Sequence, residues 1–175
     1  MQKQRIEAKA QEILRQFGMD PDGQVDVLRL AKSAGFTVGN AYLNDDEDGI
    51  LLVNTREDTI LGVKTQRLIG VNARHDLPRK RYIIARELGH YFFRLEKEKG
   101  GDMVLARRGR DRGGDSGMDY FAGCLLMPAD VFVQKYQEFR DAGVPPGEVP
   151  ERLCRFFNVP LISAQRRMGE VGLAT

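Results

Sequence analysis

The stretch Arg81–Phe93, RYIIARELGHYFF, is the feature that most constrains the fold. Ile84, Leu88, Tyr91, Phe92 and Leu95 recur at helical spacing and form one apolar stripe. This spacing predicts a helix over 78–97, with Pro78 in the first turn, where a missing N–H is tolerated. Such a helix must bury its stripe while carrying the titratable pair Glu87 and His90 beside it. It also holds Gly89 in mid-helix, which costs roughly 1 kcal/mol against alanine. A glycine in that position predicts close approach of another backbone.

Glu87 and His90 stand in the second and last positions of the pattern H-E-x-x-H. In that pattern two histidines one helical turn apart hold a zinc ion, and the glutamate takes the proton from the metal-bound water. A catalytic zinc needs three protein ligands and one open position. Here Arg86 fills the first histidine position. A guanidinium stays protonated and has no lone pair to donate, so Arg86 is not a ligand. Its fork predicts instead an ion pair with Glu87 or Asp115 in the space a metal would fill. Taken alone, Glu87 and His90 are also compatible with a purely structural helix.

The rest of the chain bounds the alternatives. A length of 175 residues predicts one domain with a small appended helical piece. We place a main domain over 1–142 and a helical C-terminal extension, packed on it, over 143–175. A net charge of +2 gives no argument for nucleic acid. Cys124 and Cys154 lack C-x-x-C spacing, which fits a reducing compartment. His75 and His90 are the only histidines, so any zinc site has at most two imidazoles. No segment approaches the ~18 apolar residues of a membrane span. The amphipathic start, MQKQRIEAKAQEILRQFG, lacks the apolar stretch of a signal peptide.

Periodicity places a first helix through Ile6, Ala10, Ile13, Leu14 and Phe17. A second starts after Asp26, a suitable N-cap. FTVGNAYL, GILLVN and RLIGVN read as strands, the first two as a hairpin around NDDEDG. The glycine- and arginine-rich segment 100–117 reads as a long loop. Helices follow over MDYFAGCLLM, over PADVFVQKYQEFRDAG and in two short pieces around Asn158–Val159–Pro160. The class predicted is α+β: a small antiparallel three-stranded sheet crossed by the site helix, with helices around it and a helical C-terminal cap.

Other signals are weaker. NDDEDG mimics half of a calcium loop, but Thr55 stands where the bidentate glutamate belongs, so a solvated turn is expected. RRGRDRGGD has no aromatics to stack on bases. Ser116 and Asp119 have capping-box spacing, and Cys124 reads as a small buried residue. Arg152, Arg155, Arg166 and Arg167 on the last two helices allow a DNA-binding helix-turn-helix as an outside alternative; an apolar cap is favoured.

Together, IGVNARHDLPRKRYIIARELGHYFF and MDYFAGCLLMP resemble the ImmA/IrrE family of zinc metallopeptidases. The family pattern is an I-x-V-N strand, an arginine-and-aromatic lead-in, A-H-E-L-G-H, then a helix E-x-[ND]-x-F-A-A-x-L-L-M-P. Ile69–Asn72, Arg81–Tyr82, Ala85–His90 and Gly117–Pro128 correspond to these. LAKSAGFTV and FFNVPLISAQRRM fit as well, so the likeness covers nearly the whole chain. The resemblance implies zinc as cofactor, His90 as a metal ligand and Glu87 as the catalytic base. It also marks two degenerate positions: Arg86 replaces a histidine ligand and Gly117 replaces the acidic one. Zinc is therefore expected to be weak or absent, with His75 and Asp115 as the possible substitute ligands. The function expected is that of a cytoplasmic regulator, from a mobile element or stress circuit, acting on a transcriptional repressor with impaired repressor cleavage. The alternatives are an active zinc endopeptidase with substitute ligands and a DNA-binding regulator.

Overall fold

The computed structural model describes residues 3–20, 22–60, 62–95, 103–108 and 116–173. Its elements run α1 (Lys3–Gln16), α2 (Val27–Ser33), β1 (Thr37–Ala41), β2 (Glu47–Ile60), β3 (Val63–Asn72) and α3 (Leu77–His90). They continue with β4 (Met103–Arg108), α4 (Ser116–Leu126), α5 (Ala129–Asp141), α6 (Val149–Phe157) and α7 (Leu161–Glu170). A π-helical turn, Tyr91–Leu95, extends α3. The architecture is α+β, as the sequence predicts, with a helical C-terminal region. No helix among the described residues is long and apolar enough to cross a membrane.

The sheet departs from the expected antiparallel three strands. Its order is β1-β3-β2-β4. β1 does not form a hairpin with β2; it pairs in parallel with β3, Val38 opposite Ile69. The true hairpin is β2–β3, with Leu51 opposite Ile69 and a turn that includes Gly62 at φ +80°. Segment 100–117, expected to be a loop, contributes β4 antiparallel to β2, with Leu105 opposite Leu51. Buried Leu51, Ile69 and Val71 alternate along their strands and face the helices.

Local chemistry explains how the helices begin. The Asp26 carboxylate accepts from the Arg29 N–H and caps α2, as expected. Asp76 caps α3 in the same way, accepting from the Arg79 N–H. Every residue from Arg81 to His90 is buried, so α3 is the central helix of the core.

Two glycines permit its placement. A Cβ on Gly49 of β2 would lie 2.7 Å from the Ile83 side chain. A Cβ on Gly89 would lie 2.6 Å from the Phe121 ring and 3.1 Å from the Met118 sulfur on α4. The mid-helix glycine thus admits close packing, but of the α4 side chains Phe121 and Met118 rather than of another backbone.

The C-terminal helices are tied to this core. Arg81 donates to the carbonyls of Val25 (2.9 Å) and Asn158 (3.1 Å), and Asn158 takes the left-handed conformation (φ 51°) that ends α6. Phe132 of α5 stacks on Phe157 of α6. Arg167 of α7 is turned inward, 1% exposed, and donates to the Met127 carbonyl and to Glu7 of α1. That removes it from any DNA-facing surface. Cys124 is buried as expected, its thiol donating to Glu7, and burial pushes the thiol pKa up.

Gly89→Ala should destabilise the fold by about 1–2 kcal/mol, because overpacking against Phe121 outweighs the gain in helix propensity. Gly123→Ala on α4 is the matched control. Its Cβ would meet only Glu170 at 3.8 Å, so it should be neutral or stabilising by up to ~1 kcal/mol. Urea titrations compare the two; a Gly89→Ala midpoint at or above wild type would contradict this packing.

Candidate functional site

The site is built where the start of β2 meets one face of α3. Arg79 and Arg86 are two helical turns apart, so both guanidiniums lie on that face. His75 precedes the helix cap. All three converge on Asp48. The Arg79 Nη2 donates to Asp48 Oδ2 at 2.6 Å and the Arg86 Nη1 to the same oxygen at 3.3 Å. His75 Nε2 lies 2.9 Å from Asp48 Oδ1.

A bulge aims Asp48 at the helix. Glu47 faces Arg108 and Gly49 faces Arg107, so β2 carries one more residue than β4 at this point. The extra residue is Asp48, and bulges of this kind redirect a side chain. The carboxylate is buried, 4% exposed, in a segment expected to be a solvated turn. Burial alone would raise its pKa. The bond from Arg79 and the charges of Arg79, Arg86 and His75 outweigh that and hold it below the ordinary carboxylate value.

Arg86 is the centre of the cluster. Its Nε and Nη2 each lie 3.4 Å from Glu87 Oε1, completing a bridge from Asp48 through the guanidinium to Glu87. Glu87 is 0% and His90 1% exposed. Burial works to lower the Arg86 pKa, but Glu87, Asp48 and Asp119 raise it, so the group remains a cation. The expected Arg86–Glu87 pair is present, and Asp48 supplies the second acid. Asp115, the other partner considered and a possible substitute ligand, lies outside the described residues. Gly117 is the second residue of α4 and His75 is turned to Asp48.

Asp48 and Asp119 are the residues that sequence reasoning missed. Asp119 is not the second half of a capping box, because Ser116 is already inside the helix. Its Oδ1 is buried with no hydrogen-bond partner among the described residues, and its charge acts on Arg86. The available signal for Asp48 was the pair Arg79 and Arg86 on a helix face that must be buried, which requires an acid opposite.

A model of the IrrE N-terminal-like domain, peptidase M78, matches residues 46–168. The chain therefore belongs to this ImmA/IrrE metallopeptidase family. No curated protein matches it. The family is generally zinc-dependent, and the described residues at the ligand positions the resemblance implies do not fit a zinc ion. Arg86 has no lone pair and adds a positive charge, and Gly117 has no side-chain donor. Among the described residues no group of three or more His, Cys, Asp or Glu is placed to hold a metal.

Asp48→Asn should destabilise the protein by about 3 kcal/mol near neutral pH, since it leaves the buried Arg86 and the half-buried Arg79 short of an anion. The folded Asp48 pKa is depressed, so its contribution is full above the unfolded value of about 4 and is lost as pH falls through the lower folded value. Denaturation of both proteins between pH 7 and pH 2 should show the gap narrowing below about pH 4. A gap independent of pH would contradict the assignment.

Proposed function

We propose that this metallopeptidase-fold protein is a cytoplasmic regulator that engages a transcriptional repressor, with its hydrolytic step impaired. One observation supports the impairment: a buried guanidinium is bonded to Glu87 and Asp48, at the position where the family resemblance puts a histidine ligand. The choice of a repressor as partner rests on the family resemblance.

The chemistry follows from the residues. A peptide bond is cleaved in this family when zinc polarises the carbonyl and the motif glutamate takes a proton from water. In this chain the Glu87 carboxylate is engaged by Arg86, which satisfies one of its oxygens and supplies a fixed cation beside it. A fixed guanidinium offers no exchangeable coordination position for water. What remains available is recognition: the fold and its surfaces persist, and binding the repressor alters its activity without cutting it.

Restoration tests this reading. Arg86→His with Gly117→Glu supplies two histidines and one acid, the ligand number of a catalytic zinc site. Each change alone should raise zinc affinity little. The double variant should bind zinc at least ~100-fold more tightly than the sum of the single effects implies, because the residues act on one centre. Isothermal titration of the four proteins with zinc reads this directly. A wild-type chain that already binds zinc stoichiometrically would return the reading to an active endopeptidase with substitute ligands. A double variant that binds no better than wild type would make RELGH a purely structural helix.

A further inference from the structure

The second feature of note lies at the other edge of the sheet, away from Arg86. β1 is an edge strand: it pairs with β3 on one side, and no described residue pairs with its outer side. Its five residues, TVGNA, include no charge and no proline, the usual devices that protect an edge from pairing with another chain. Gly39 and Asn40 are exposed, and a Cβ on Gly39 would have nothing within 4 Å.

An apolar cavity of about 290 Å³ opens beside this edge, on the helix face of the sheet. Val38 and Val71 of the sheet, Leu28 of α2 and Leu77, Lys80 and Ile84 of α3 line it. Leu28 and Leu77 are 40% and 58% exposed, and Tyr42, one residue beyond β1, is 95% exposed. Lys80 forms no ion pair among the described residues. The neighbouring Arg81 gives its hydrogen bonds to two uncharged carbonyls. Arg81 is buried and faces the charge of Asp26, so the cation this cavity offers a ligand is Lys80.

We propose that β1 and this cavity bind an extended acidic–apolar peptide segment of a partner protein, added to the sheet as a fifth strand. The backbone of the peptide would pair with the outer edge of β1. Side chains on a strand alternate between faces, so positions i and i+2 point the same way. A large apolar residue at i would enter the cavity, and an acidic residue at i+2 would meet Lys80. Main-chain pairing supplies affinity and the two side chains supply selectivity. The lining of this surface includes neither Arg86 nor Asp48, so peptide binding there does not depend on whether hydrolysis is impaired.

The probe is a fluorescein-labelled octapeptide of alternating threonine and valine, with one central leucine and a glutamate two positions further on. Two companions replace the glutamate by lysine or the leucine by serine. Binding to the full chain is followed by anisotropy, and by amide shifts and hydrogen exchange at Gly39 and Asn40. The parent peptide should bind, slow exchange along β1, and lose roughly threefold to tenfold in affinity with either companion change. Lys80→Glu should reverse the preference between the glutamate and lysine peptides. Leu77→Ala should weaken the parent peptide. Both positions are at the surface, and an unchanged melting curve verifies the fold of each variant. No binding at millimolar peptide overturns the proposal. So do amide shifts confined to other surfaces, a Lys80→Glu variant with unaltered preference, or self-association of the chain through β1 that peptide does not displace.

Discussion

The arrangement of this protein depends on one buried carboxylate. Asp48 is held in the core-facing bulge of β2, and Arg79, Arg86 and His75 reach it from one side. The contact determines where α3 crosses the sheet, because a desolvated guanidinium without an anion is far more costly than one with it. Gly49, the next residue, lets the helix come close enough for the pairs to form. The position of α3 then governs the approach of α4 at Gly89. The same cluster bears on the proposed chemistry, since Arg86 sets a fixed cation beside Glu87.

A second ionic centre does comparable work at the far end. Arg167 bonds to Glu7 and to the Met127 carbonyl and lies 3.5 Å from Glu170, so α1, α4 and α7 share one guanidinium. Burial raises the Tyr120 hydroxyl pKa, with Cys124 and Glu7 adding to the rise, and that hydroxyl donates to the same Glu7 carboxylate. These bonds bind the helical C-terminal region to the first helix of the chain. The apolar residues around them are fully buried, including Phe132, Leu153 and Phe157.

Features governed by local chemistry were legible in the sequence. The Asp26 cap, the central helix with its close-packed glycine and the α6–α7 break at Asn158 all appear where short-range patterns put them. Features governed by distant pairing were not. β1 looks like the partner of β2 because the two are adjacent in sequence, yet its mate is β3, reached across the whole of β2. Asp48 sits among acids that suggest solvent, and only the register with β4 reveals the bulge that turns it inward. Asp119 has capping-box spacing, but Ser116, which would be the cap, is already helical. That Arg86 and Gly117 stand at ligand positions is what the family resemblance implies; residue type adds only that neither side chain can hold a metal. The acid that compensates Arg86 was not legible, because it comes from a strand 38 residues earlier.

The central claim is that a built-in cation, Arg86, holds this site together in place of a metal. The most direct measurement is the thermal unfolding of the purified protein before and after exhaustive chelation. The account predicts superimposable melting curves, since Asp48, Arg86 and Glu87 bind one another without an ion. A chelated protein that melts several degrees lower, and recovers when zinc is restored, would contradict it, because a bound metal stabilises the folded state in proportion to its affinity.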